Sequence, residues 1–107
     1  WILEPTGTAV RQWAVQQCRA AGFEPTVRFE ATDLTAHLRL VEGGHAVAML
    51  PDLVWPNGRS TTVRLVDLPG SPVREIFAAT RVATGSSAAV VAVRTALADA
   101  LAAHRVR

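Results

Sequence analysis

The chain has 107 residues, 50% of them hydrophobic and 19% charged, a composition that supports a folded core and excludes a disordered polypeptide. Its 11.4 kDa allows one domain or part of a larger one. The net charge of +2 rests on 11 basic residues, all arginine and all dispersed, so a pI near 10.0 is a weak sign of nucleic-acid binding without a basic stripe or interleaved aromatics.

The lone cysteine, Cys18, excludes an internal disulfide framework and a cysteine-based zinc site, and fits a reducing, cytoplasmic compartment. The longest apolar run, near Ala46–Leu50, falls far short of the roughly 20 residues that span a bilayer. No charged-then-apolar leader opens the chain at Trp1, so no signal peptide is expected within it.

In chain order, Trp1–Glu4 is short and apolar and is broken by Pro5-Thr6-Gly7-Thr8. From Thr8 the period changes: Val10, Trp13, Ala14, Cys18 and Ala21 fall at offsets of three and four, one face of a helix. Gly22 stops that helix as a left-handed cap, and Pro25 prevents its resumption. Thr26–Glu30 alternates, with Val27 and Phe29 on one face and Arg28 and Glu30 on the other, which is strand spacing. Thr32-Asp33 then signals a helix cap, Leu34, Leu38 and Val41 follow at helical spacing, and Gly43-Gly44 ends the element.

Ala46–Leu50 reads as a parallel strand covered on both faces, closed by Pro51. The result is β-α-β-α-β, the order of a parallel sheet with right-handed crossovers. Trp55-Pro56-Asn57-Gly58 is a turn. Thr61–Leu68 and Val73–Val82 read as strands separated by Pro69-Gly70-Ser71-Pro72. Gly85-Ser86-Ser87 caps a last helix with the stripe Val90, Val93, Leu97 and Leu101.

In open parallel sheets, ligands bind beyond the carboxyl ends of the strands. Two turns present such ends here, Glu4–Thr8 and Glu30–Asp33. Both bear hydroxyls, and both open a helix whose unpaired N–H groups and dipole favour an anion. The plainer reading is that Thr8 and Thr32 are ordinary caps. His37, His45 and His104 lack metal-ligand spacing, Cys18 sits on a buried stripe, and Ser86 and Ser87 lie outside any G-x-S-x-G elbow. Glu4, Glu30 and Asp33 could gather at one sheet edge, but with no partner base or nucleophile in view. No catalysis, metal or cofactor is therefore expected.

Three stretches carry a resemblance: Gly22-Phe23-Glu24-Pro25, Val27-Arg28-Phe29-Glu30-Ala31-Thr32-Asp33, and Val41-Glu42-Gly43-Gly44-His45-Ala46-Val47-Ala48-Met49-Leu50-Pro51. Their order and spacing resemble the effector-binding domain of LysR-type transcriptional regulators, whose "GF-x-P-x-V-x-F-E" strand is followed by a helix and a "V-x-x-G-x-G-V-A-x-L-P" strand. His45 stands where the family usually has a second glycine. The opening segment and the closing strands and helix fit as well, so the likeness covers nearly the whole chain.

The resemblance implies an α/β, periplasmic-binding-protein-like (type 2) lobe with a parallel-rich sheet flanked by helices, a fragment of a two-lobed domain. Residues 1–60 would form the second lobe, and residues 61–107 the return strands and C-terminal helix belonging partly to the first. The DNA-binding domain would be absent, so DNA would be reached only through that missing N-terminal part. The implied partners are a small-molecule effector and further copies of the protein in a homo-oligomer, and a membrane is not among them.

Effector contacts implied by the family fall on Thr6, Gly7 and Thr8 as one wall and Thr32 with Asp33 as another, with Pro51 shaping a third edge. The leading function is an effector-sensing module that binds a small, anionic metabolite at helix N-termini. The alternative is a solute-binding component of a transporter with the same two-lobed fold. An enzyme on a related scaffold would need a nucleophile, a base or a cofactor lysine, and the chain has no lysine. Apolar surface on Val73–Val82 and Val90–Leu101 further predicts self-association or pairing with a missing lobe.

Overall fold

A computed structural model of the chain describes residues 1–55, 58 and 62–105. They divide into two compact units, one built on Trp1–Val54 and the other on the stretch that runs from Val66 through the last helix.

The first unit is organised around a two-stranded parallel sheet. Strand β1 is Ile2–Leu3 and strand β2 is Phe29–Glu30, in the register Ile2↔Phe29 and Leu3↔Glu30. The Arg28 amide donates to the Trp1 carbonyl at 3.0 Å and the Ala31 amide to the Leu3 carbonyl at 3.1 Å, which extends the ladder at both ends. Helix α1 (Ala9–Ala20) is the crossover between the strands, and helix α2 (Leu34–Glu42) follows β2 and packs against β1. Ile2, Leu3, Ala14 and Cys18 form the apolar core, joined by the ring of His37. Trp1 and Phe23 meet with ring centroids 6.1 Å apart, which ties the loop after α1 to the start of β1.

The helix boundaries follow from local chemistry. Thr8 caps α1, its Oγ1 accepting from the Arg11 amide at 3.3 Å. Asp33 caps α2, its Oδ1 accepting from the Thr35 amide at 2.9 Å. Both helices end in the same way. Gly22 (φ 93°) and Gly44 (φ 77°) adopt the left-handed conformation, and the amides of Phe23 and His45 reach back to the carbonyls of Cys18 and Leu40. This is the six-to-one hydrogen bond of a Schellman stop, and a side chain at either glycine would meet strain at that φ.

Several strand expectations are corrected. The alternating segment Thr26–Glu30 yields only the pair Phe29–Glu30, and Phe29 is exposed. Ala46–Leu50 forms no strand and is not covered on both faces; Val47 is 56% exposed. One ladder bond links this segment to β1, from the Ile2 amide to the Val47 carbonyl at 3.0 Å. The five-element sheet order is therefore reduced, among the described residues, to two paired strands and one tethered segment. On α1, Trp13 and Ala21 lie outside the buried stripe, which narrows to Ala14 and Cys18.

Thr62–Leu68, divided between the two units after Leu65, and Val73–Arg81 in the second run as irregular chain where strands are expected, followed by a 3-10 turn at Val82–Thr84. A strand exists only as a pairing, and these segments find no ladder partner among the described residues. Pro56, Asn57 and Thr61, parts of the expected turn and strand, lie outside the described residues. The last helix, α3, runs Ala88–Arg105. The Ser87 hydroxyl accepts from the Val90 amide at 3.4 Å, so the expected serine cap is formed. Trp55 is buried, consistent with packing of its loop.

Candidate functional site

Parallel pairing of β1 with β2 sends both chains out of the sheet at the same edge. After Leu3 comes Glu4-Pro5-Thr6-Gly7-Thr8 and then α1; after Glu30 comes Ala31-Thr32-Asp33 and then α2. The two turns singled out by sequence thus start from neighbouring strands, and each feeds a helix N-terminus.

Each turn has its own internal order. Thr8 is fully occupied as a cap: its amide and its hydroxyl both donate to the Pro5 carbonyl, at 3.2 and 2.8 Å, while Oγ1 also accepts from Arg11. Gly7 takes φ 89°, the left-handed conformation that lets the turn close this tightly. Thr6 and Gly7 are exposed. Asp33 spends Oδ1 on the Thr35 amide, and its carbonyl accepts the Ala36 amide at 3.1 Å. Thr32 is exposed, and its hydroxyl makes no hydrogen bond within the described residues. Pro51 follows the tethered segment, where its carbonyl accepts the Val54 amide at 3.0 Å; no hydrogen bond among the described residues joins it to either turn.

Two residues outside the expected effector contacts organise this edge. Arg11, in the first turn of α1, points Nη1 at both strand ends: the Glu4 carbonyl at 3.2 Å and the Glu30 Oε2 at 2.9 Å. Its side chain is 20% exposed and that of Glu30 49%. The available signal was a cation three residues beyond the cap, with two carboxylates already placed at the same edge.

His37 is the second. It is 1% exposed, and its Nε2 lies 2.7 Å from the Ala31 carbonyl. A carbonyl only accepts, so Nε2 carries the proton and donates. Nδ1 is buried and has no hydrogen-bond partner among the described residues. The ring pins the β2–α2 turn to the helix that follows it. Its place three residues after Leu34 and one before Leu38, on the apolar stripe of α2, was the legible clue.

Cys18 is buried on α1, and its thiol is raised above the ordinary range first by burial and then by the Glu24 carboxylate. Glu24 also pairs with Arg19, whose guanidinium is held further up by that hydrogen bond and by the carboxylate charge. No group of three or more His, Cys, Asp or Glu among the described residues is placed to hold a metal ion. No described helix is long and apolar enough to cross a membrane.

A family profile described as the LysR substrate binding domain matches residues 1–102. The chain belongs to the LysR substrate-binding domain family. That membership implies a periplasmic-binding-protein-like fold, and the mixed α/β structure with a small parallel sheet is consistent with it. The chain is also 40% identical over 52 residues to the transcriptional dual regulator GltC of Bacillus subtilis (strain 168), a match that covers 49% of this chain and 17% of that protein. It thus spans well under two thirds of this curated relative. No solved structure matches the chain. Both the LysR domain match and the regulator relative weigh against the transporter alternative.

Proposed function

We propose that this LysR substrate-binding domain is the effector-sensing module of a DNA-binding transcriptional regulator, and that its effector is a small anion held where the β1–α1 and β2–α2 turns open their helices. The observation that carries the reading is the parallel register, which launches both turns from one sheet edge. Thr6, Gly7 and Thr8 form one wall, Thr32 and Asp33 the second, and Pro51 a third edge of a type 2 lobe.

The hydrogen bonds refine the roles. Thr8 and Asp33 hold their turns in shape through their caps, and the free Thr32 hydroxyl and the unpaired first-turn amides do the binding. A helix N-terminus contributes about 0.3–1 kcal/mol toward an anion, and each hydrogen bond to a charged ligand about 1.5–3 kcal/mol. A few of each reach micromolar affinity. Asp33 repels an anion, which confines its part to the cap.

In the whole protein, the effector alters the hold on DNA only through unequal affinity for two arrangements of the lobes or of the oligomer. In the full-length regulator, Thr32→Val leaves basal operator binding intact and weakens the response to the effector about tenfold, read as fluorescence anisotropy of labelled operator against a panel of carboxylates and phosphate esters. An unchanged response moves the effector away from this turn. Thr8→Val weakens the response as well, through the lost cap.

A further inference from the structure

We infer that Arg11 is a positioning residue, a latch that sets the spacing of the β1–α1 and β2–α2 turns, and that Glu30 is its releasable half. This deepens the effector-site reading and rests on it for its functional meaning.

The geometry is specific. A single nitrogen, Nη1, is shared between the Glu4 carbonyl at 3.2 Å and Glu30 Oε2 at 2.9 Å. Glu4 is the first residue after β1, and Glu30 is the last residue of β2. The side chain that makes both contacts stands on the helix that the first turn opens, in register with its cap: the Arg11 amide donates to Thr8 Oγ1. One residue therefore ties the helix start, the first turn and the neighbouring strand end into one unit.

The two contacts differ in character. The guanidinium is largely shielded, while the Glu30 carboxylate is about half exposed. An exposed ion pair is weak and is screened by salt. The carbonyl contact anchors Arg11 to the first turn, and the carboxylate contact can open. An anion arriving between the turns competes with Glu30 for the same guanidinium, so the latch links occupancy of the site to the separation of its walls.

The test is hydrogen-exchange mass spectrometry on the full-length protein, following peptides over residues 4–10 and 29–35, with sodium sulfate as the anion probe and sodium chloride at matched ionic strength as control. Arg11→Met keeps the side-chain stem and removes the donors. It is expected to speed exchange about fivefold in both peptides, and Glu30→Gln about twofold. The double variant is expected to be no faster than Arg11→Met alone, the signature of one shared interaction. A role confined to stabilising α1 would speed the first peptide only and would leave the Glu30 variant additive; either result overturns the latch. In the native protein, sulfate is expected to slow exchange in both peptides with one midpoint, and in Arg11→Met with two. Coupled exchange with no response to sulfate supports the latch and counts against the anion site, so the two ideas fail separately.

Discussion

The two units have similar apolar content and use it differently. In the first, Ile2, Leu3, Ala14 and Cys18 are sealed under two capped helices, and even a histidine ring is enclosed. In the second, Val73 is 93%, Ile76 68% and Phe77 78% exposed, and Leu97 and Leu101 lie open on α3. The contrast separates two kinds of information. A helix closes its hydrogen bonds within itself, so its ends and its stripe are set by residues close together in the chain. Burial requires a second surface; among the described residues the first unit supplies one for its apolar core, whereas in the second Trp55 alone is buried.

The contrast can be broken most directly by truncation. Leu3→Ala in the sheet is expected to cost about 2–5 kcal/mol in urea denaturation, whereas Leu97→Ala on the open face of α3 stays within about 0.5 kcal/mol. Equal costs would show that the α3 stripe is covered in solution.

His37→Leu is expected to cost about 1–3 kcal/mol, because the Ala31 carbonyl loses its donor. His37→Gln recovers part of this by offering an amide N–H. If Gln is as damaging as Leu, packing rather than the hydrogen bond is the ring's contribution.

Thr8→Val removes a cap and is expected to cost about 1 kcal/mol, with Thr8→Ser near neutral. Ser87→Ala sharpens the comparison, since that cap serves a helix whose described residues are mostly exposed.

The smallest effect is pH dependence. The Cys18 thiol is raised in the fold, so above about pH 8.5 the unfolded chain loses its proton first. The unfolded state then binds fewer protons than the folded one, and stability falls as pH rises until the folded thiol also ionises. Cys18→Ala should remove that slope, and alkylation of Cys18 below this range should be slow in the folded chain. A slope retained by Cys18→Ala assigns it to another group.

These results also mark what was legible in the sequence. The caps at Thr8, Asp33 and Ser87 and the glycine stops at Gly22 and Gly44 are written in a few adjacent residues and formed, whereas Thr32, also read as a cap, leaves that place to Asp33. The strands expected at Ala46–Leu50, Thr61–Leu68 and Val73–Val82 did not form among the described residues, because β-propensity describes a surface that fits a neighbour and says nothing of whether the neighbour is there. At the site, the turns were visible from the change of period, but Arg11 and His37 were not. The role of Arg11 depends on which carboxylate lies across the sheet edge, set by the register Leu3↔Glu30, and that of His37 on the Ala31 carbonyl of the turn before its own helix.

The central claim is that the two turns leaving one sheet edge hold an anionic effector. Thermal shift of the full-length protein against a panel of mono- and dicarboxylates and phosphate esters, native beside Thr32→Val, tests it most directly. A ligand that binds the folded state raises the melting temperature with its concentration. The account predicts that at least one anion raises the native melting temperature and does so much less for Thr32→Val. If every stabilising anion raises both proteins equally, the effector sits elsewhere.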